Sequence, residues 1–358
     1  VTGGTVRPHA RRSARGTGAR RPTVADVARE AGVSASTVSR VLSGNGYAAA
    51  AVRERVLAAV RRIGYVPDAN ARTLRNRSSR SIGVLISDLR DPFYADLAAG
   101  VEQELRTAGY HMVLVNDNGQ AHEEMRAVTE FLAMRVPGVI LTPVSARAVK
   151  TLHQQGIRVV QADRRVSRRY GDAVLGANEA GAEMVTRHLL DLGHRRIGLV
   201  IDETRWTSGA GRLAGYHAAH QAAGVPADER LIARNAGFDP EAAGKATGRL
   251  LDEHPDLTAV FAANNVLAQG ALQEIQRRGV AVPRQLSLAA YDDVPWMSMV
   301  RPSITTVSQH SVELGRRSAR VLLDRLAEGD PDRGTTVLNL EPELVVRSST
   351  APPTRNPR

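Results

Sequence analysis

The chain has 358 residues, a length that two or three structural units fill better than one. It has no cysteine, which excludes disulfides, thiolate metal ligands and cysteine nucleophiles, and no apolar run near the roughly 20 residues of a membrane span. Its net charge of +11 is unevenly placed: residues 1–77 hold 15 arginines against 4 acidic residues, while residues 78–358 hold 33 basic and 33 acidic ones. Positive charge confined to one small unit is the footprint expected of polyanion binding.

Residues 1–21, VTGGTVRPHARRSARGTGARR, read as a disordered basic tail. They lack the apolar stretch of a secretory signal, so a cytoplasmic location is expected. Thr23 with Asp26 three residues on resembles a capping box, and Val24, Val27, Ala28 and Ala31 follow at helical spacing. Gly32 ends that helix, Ser34 caps a second, and Val38, Val41 and Leu42 give the second its apolar face up to Gly44. Ser36, Ser39 and Arg40 share another face of it. Val52, Val56, Val60 and Ile63 mark a third helix that ends at Gly64. Three short helices with a tight turn between the first two read as a helix-turn-helix unit over residues 22–67. Its second helix belongs in a major groove, where the Arg40 fork suits O6 and N7 of guanine. A merely solvated polar face is the alternative, and the caps, turn and local charge weigh against it.

The stretches TVADVAREAGVSASTVSRVLSG and VRERVLAAVRRIGYVPDANARTLR resemble the DNA-binding end of the LacI family of bacterial transcriptional regulators. The similarity runs from about Thr23 to Val346. It implies base reading at Ala35, Ser36 and Arg40, with Ala35 limited to apolar contact, and further DNA contacts at Thr23, Ser34, Thr37, Ser39 and Tyr47. The segment ANARTLRN, Ala69 to Asn76, is too short to be a stable helix alone. The resemblance makes residues 68–79 a hinge that turns helical when two copies meet on DNA. It implies contacts from Asn70, Ala71 and Arg75, and Leu74 wedged into the minor groove, an apolar wedge that unstacks a base step. A plain flexible linker is the alternative, opposed by Arg72, Arg75 and Arg77 beside Leu74.

From residue 81 the pattern changes to short apolar runs separated by helical stretches: SIGVLISD, HMVLVND, GVILTP, RVVQAD, AVLGAN, RIGLVID, LIARN, AVFAAN and LSLAAYDD. Such alternation predicts parallel sheets with helices on both faces, and nine strands suit two doubly wound α/β subdomains. Strands finish in Asp88, Asn116, Asp163, Asn178, Asp202, Asn264 and Asp292. Ligands bind outside the carboxyl ends of the strands in open α/β sheets, so these groups would line a cleft suited to a polyhydroxylated ligand. Helix capping and Asx-turns are the competing role for about half of them.

The same family resemblance implies an effector domain of periplasmic-binding-protein type. It places Phe93, Tyr94, Asp163, Ser208, Arg212, Phe238, Asn264 and Asp292 at the effector, with Arg212 as the clamping arginine. The implied boundaries are an effector and dimerisation domain over 80–349, split into one subdomain of about 80–177 and 310–337 and another of about 178–309 and 338–349. Residues 350–358 read as a second tail. Two positions depart from the family pattern. Where relatives read DNEAG and AND, this chain has Ala177 before Asn178 and Asn265 after Asn264, so two carboxylates are replaced by uncharged groups.

Enzyme readings find little support. G209-A-G-R-L-A214 satisfies a dinucleotide fingerprint but starts six residues beyond its strand, and no nucleophile elbow, phosphate loop or HExxH helix occurs. A plain solute-binding protein would carry an export signal and no DNA-reading unit. The expectation is a non-enzymatic repressor with no cofactor and no metal. It would bind a palindromic double-stranded operator as a homodimer, with further pairing of dimers left open and affinity changed by a small polar effector.

Overall fold

The computed structural model describes residues 21–43, 47–66, 79–202, 204–234, 238–328 and 334–354. They belong to two compact units that divide after residue 77.

The first unit contains α1 (Val24–Ala31), α2 (Ala35–Ser43) and α3 (Ala50–Ile63). Thr23 closes a full capping box with Asp26, donating N–H and Oγ1–H to Oδ2 at 2.9 and 2.7 Å. Gly32 then ends α1 in the left-handed region at φ 63°, which costs glycine nothing. Val27, Ala28, Ala31, Val38, Val41, Val56, Ala59 and Tyr65 form the core of the unit. A core this small leaves little stability in hand, so the caps matter more than they would in a large domain. Gly44 lies outside the described residues.

The second unit runs, in chain order, β1 (Ser81–Ile86), α4 (Pro92–Thr107), β2 (His111–Asn116), α5 (Ala121–Ala133), β3 (Gly138–Leu141), α6 (Ala146–Gln154), β4 (Arg158–Asp163), β5 (Asp172–Gly176), α7 (Asn178–Asp191), β6 (Ile197–Val200), α8 (Thr207–Ala222), β7 (Ile232–Ala233), α9 (Pro240–Glu253), β8 (Ala259–Ala262), α10 (Asn265–Arg277), β9 (Ser287–Tyr291), α11 (Pro295–Met299), β10 (Thr305–Ser308), α12 (Ser311–Glu328), β11 (Val337–Leu340) and β12 (Glu343–Val345). Two six-stranded sheets result, ordered β11-β5-β4-β3-β1-β2 in lobe A and β12-β10-β9-β8-β6-β7 in lobe B. Helices cover both faces of the central strands, which is why runs such as GVIL in β3 and AVFA in β8 are apolar and buried throughout.

All nine apolar runs become strands, though LIARN yields only Ile232–Ala233 after a 3-10 turn over Glu229–Leu231. Three strands carry no such signal. β10, β11 and β12 read TTVS, VLNL and ELV, short and partly polar, and β11 and β12 are sheet edges with half-exposed side chains. The sheets are parallel as expected, except that the edge strand β12 pairs antiparallel with β10. The chain returns from lobe A to lobe B between Leu340 and Glu343, not after residue 337, because β11 keeps register with β5 up to Leu340 opposite Gly176. Residues 350–354, expected to be tail, are held in place: Ala351 N–H donates to Ser287 Oγ at 3.1 Å and its carbonyl accepts from His194 Nε2 at 2.9 Å.

Close helix pairs brace each lobe. In lobe A, α4 and α12 cross at Gly100 and Gly315, where a Cβ would come within 2.0 Å of the Val312 and Leu97 carbonyl oxygens. The buried Arg325 of α12 grips Asp172 of β5 through Nε and Nη2, both at 2.7 Å. No described helix is long and apolar enough to cross a membrane.

Candidate functional site

In lobe A the strand order reverses between β1 and β3, and in lobe B between β6 and β8. Chains leaving neighbouring strands at such a point diverge to opposite faces and open a crevice at their carboxyl ends. The two crevices face each other around a cavity of about 320 Å³, within the range of small-molecule sites. Ser87 and Asp88 reach it from the end of β1, Asp163 and Arg164 from β4, Asp202 from β6, Asn264 from β8 and Asp292 from β9. All eight residues assigned to the effector from the sequence line it: Phe93, Tyr94, Asp163, Ser208, Arg212, Phe238, Asn264 and Asp292.

Arg212, in α8, is buried and furnished from every side. Its Nε donates to Asn178 Oδ1 at 2.8 Å, Nη1 to the Ala263 carbonyl at 2.5 Å, and Nη2 lies 3.6 Å from Asp292 Oδ1. The guanidinium carbon sits 4.0 Å from the centroid of the Tyr291 ring. Burial opposes its charge, but Asp292 and the other acids facing it hold its pKa above the ordinary arginine value. Asp292 also accepts from Gln309 Nε2 at 2.5 Å, in the segment that crosses between lobes. Asp163 and Asp292 both have left-handed backbones, φ 66° and 69°, a conformation that aspartate tolerates better than most side chains.

The strand-end residues divide by role. Asn264 does two jobs: its Oδ1 caps α10 by accepting from Leu267 N–H at 2.8 Å, and its Nδ2 donates to Asp202 Oδ2 at 3.1 Å. Asn178 stands behind Arg212 and outside the cavity lining. Asn116 is structural, its Oδ1 accepting from Leu89 N–H at 3.1 Å. Phe93 and Tyr94 belong to the lobe A core and pack edge to face with centroids 5.1 Å apart, while Phe238 is 40% exposed and 6.4 Å from the Tyr94 ring.

Sequence reasoning missed Arg164, Trp206 and Asp91. Arg164 of lobe A, 2% exposed, stacks at 3.8 Å on the ring of Trp206 from lobe B. Asp91 caps α4 by accepting from Phe93 N–H at 2.9 Å. Burial, with Asp292 and Asp88 nearby, pushes Asp91 up to about 7, and burial pushes Asp163 up to about 6. The only advance signal was position: Arg164 directly follows a strand end, and Asp91 precedes a helix-opening proline.

G209-A-G-R-L-A214 lies inside α8 and makes no phosphate turn. Gly211 instead admits α7, since a Cβ there would lie 3.0 Å from that of Asn178. No group of three or more His, Asp or Glu side chains among the described residues could hold a metal.

In the first unit, Ser34, Ala35, Ser36 and Arg40 are exposed on or beside α2, with Thr37 and Ser39 half-buried and Tyr47 89% exposed. The Ser34 hydroxyl is 2.8 Å from those of Ser36 and Thr37 and accepts from Thr37 N–H at 3.2 Å, so part of this polar face caps the helix. Thr23 likewise is a cap. Asn70, Ala71, Leu74 and Arg75 lie outside the described residues.

Residues 23–68 match the model of bacterial regulatory proteins of the lacI family, and residues 186–350 match that of periplasmic binding protein-like domains. A ribose operon repressor of Halalkalibacterium halodurans is 34% identical over 331 residues, 92% of this chain and 97% of that protein. The chain belongs to the LacI family of bacterial regulators. It is a DNA-binding transcriptional regulator with a helix-turn-helix unit and a periplasmic-binding-protein-like unit. Among solved structures, a lac repressor dimer bound to operator and the anti-inducer ONPF is similar, with TM-score 0.81 and 28% identity, over 93% of this chain and all of that one. A LacI-family regulator from Enterococcus faecium with bound ribose has TM-score 0.69 and 29% identity over 76% of this chain and all of that one.

The departure from the family pattern at Asn265 has a physical counterpart. Asn265, at the start of α10 in lobe B, donates from Nδ2 to Asp91 Oδ1 in lobe A at 2.9 Å. A carboxylate at 265 would oppose that of Asp91, whereas the amide joins the lobes. Ala177 precedes α7 and makes no side-chain cap there.

Proposed function

We propose that this regulator is a repressor that binds a palindromic operator as a homodimer and senses a small polyhydroxylated effector in the cavity between lobes A and B. The observation that carries this reading is the union, in one chain, of an exposed polar face on α2 with an inter-lobe cavity whose walls meet in Arg212, Asp292 and Asn264. The base-reading residues are Ala35, Ser36 and Arg40, supported by Ser39 and Tyr47, with Thr23, Ser34 and Thr37 holding the caps. Asn70, Ala71, Leu74 and Arg75 form the hinge contacts, and residues 80–349 hold the effector and dimer surfaces. Effector acts through different affinities for two arrangements of the lobes, since a ligand that binds both equally shifts nothing.

Selection from a random duplex library with the full-length protein tests this. The wild type should enrich a two-fold symmetric site, and Arg40→Ala should lose about 1–3 kcal/mol on that site while keeping its non-specific affinity. Equal losses on specific and non-specific DNA would remove Arg40 from base reading, and enrichment of no sequence would reject the operator reading.

A further inference from the structure

Three arginines line the cavity, Arg90, Arg164 and Arg212. Arg90 is paired with Asp88, and Arg212 lies against Asp292. Arg164 is furnished differently. Its Nη2 donates to Ser87 Oγ and, at 3.3 Å, to the Thr142 carbonyl, and its flat face lies on Trp206. It makes no ion pair among the described residues, and its buried Nε has no hydrogen-bond partner. The carboxylates of Asp163, Asp117 and Glu124 face it without pairing with it, and such unpaired charges, neutral oxygens and a ring face offset only part of the cost of taking a guanidinium out of water. Asp163, its neighbour in the chain, also leaves one buried oxygen, Oδ1, without a partner. Two neighbouring residues of the cavity wall, one cationic and one acidic, thus each keep a buried polar atom without a partner.

We propose that the effector carries an anionic group on its polyhydroxylated skeleton, and that Arg164 is the counter-ion for that group. This rests on the reading of the cavity as the effector site. A neutral polyol would satisfy Asp163 with a hydroxyl and leave the guanidinium without a close ion pair; a sugar acid or sugar phosphate supplies one. Ser87 holds the guanidinium from the same wall, its hydroxyl accepting from Arg164 and lying 3.4 Å from Thr142 Oγ1.

The carboxylates around the cavity set a condition on this binding. Asp163 is faced by Arg164, Arg212, Asp292 and Asp202, Asp91 by Asp292 and Asp88, and Arg164 also by the buried carboxyls of Asp117 and Glu124. With Asp163 at about 6 and Asp91 at about 7, an arriving anion raises both further and takes up protons. Anion affinity therefore increases as pH falls from 8 to 6, whereas a neutral sugar whose hydroxyl donates to the Asp163 carboxylate favours the charged form and gains nothing on acidification.

Calorimetric titration of the full-length protein tests the proposal with matched probes: D-glucose, D-galactose and D-ribose beside glucuronate, gluconate, galacturonate and ribose 5-phosphate, at pH 6 and pH 8. At least one acid should outbind its neutral parent by about 10- to 100-fold, with carboxylate and phosphate arms identifying which anion. The pH comparison uses the carboxylates, which keep their charge over this range, and their affinity should be higher at pH 6. Arg164→Gln, which removes the charge, should lose most of the preference for the acid over its parent. Neutral parents binding as tightly as their acids, or an unchanged preference in Arg164→Gln, would overturn the proposal and leave the polyol site standing. Binding of no compound of either kind would reject the polyol reading and the proposal with it. Should Arg164→Gln fail to fold, the acid-to-neutral comparison in the wild type decides alone.

Discussion

Lobes A and B follow one plan and equip the cavity differently. The run β5-β4-β3-β1-β2 in lobe A has the same winding as β10-β9-β8-β6-β7 in lobe B, and each places polar strand ends at its reversal point. Lobe B supplies Arg212 with its support already built within that lobe, from Asn178, the Ala263 carbonyl, Asp292 and Tyr291. Lobe A supplies Arg164, whose ring partner, Trp206, belongs to the other lobe. Equal folds thus yield one ligand group fixed in advance and one completed only across the cleft. Preorganised groups bind at lower entropic cost, which makes Arg212 the better prepared of the two arginines for a ligand.

The largest expected effect tests whether lobe A has its own foundation. Arg325→Ala leaves the buried Asp172 carboxylate without its two 2.7 Å bonds and should destabilise the unit by about 3–5 kcal/mol in urea denaturation. A loss below 1 kcal/mol would show that this ion pair does not brace lobe A. The cleft acids come next. Asp91 and Asp163 have folded pKa values raised above those of free aspartate, so the native state binds more protons between about pH 4 and 7. The stability they contribute is present at the acid end of that window and lost as pH rises through 6 and 7. Thermal unfolding at pH 5.5 and 7.5 should show a lower midpoint at the higher pH, and Asp91→Asn should reduce the difference; an unchanged slope would remove Asp91 as its source.

Matched glycine substitutions sharpen the comparison between lobes. Gly100→Ala in lobe A and Gly215→Ala in lobe B each drive a Cβ to about 2 Å from a carbonyl oxygen of a facing helix, Val312 and Glu179 respectively. Both should cost about 1–3 kcal/mol, and a large inequality would mean that one helix pair yields more easily. Thr23→Ala, outside both lobes, gives the smallest effect: loss of the capping box should cost the first unit about 1 kcal/mol. A change in ligand affinity in that variant would contradict a purely local role.

The parts legible in the sequence are those with a short-range physical signature. Thr23, Gly32 and Gly64 act where they stand, and the nine apolar runs show because central strands covered on both faces need apolar residues on both. The three remaining strands take their place from distant partners, such as Leu338 opposite Val174, and their own residues are ordinary. The same distinction holds in the cavity. Arg212 and Asp292 stood in recognisable family stretches, whereas Arg164 needs Trp206, 42 residues on, and Asp91 needs Asn265 across the cleft. Contacts of that range leave no local pattern to read.

We propose that the cavity of the second unit controls the DNA affinity of the first. The most direct test is operator binding by the full-length protein, followed by fluorescence anisotropy on the selected duplex, while a ligand identified by calorimetry is titrated in. Ligand should shift the operator dissociation constant of the wild type by about 5- to 150-fold, and Arg212→Ala should lose that shift. An operator affinity indifferent to a ligand that fills the cavity, or an undiminished response in Arg212→Ala, would mean that the cavity does not control DNA binding.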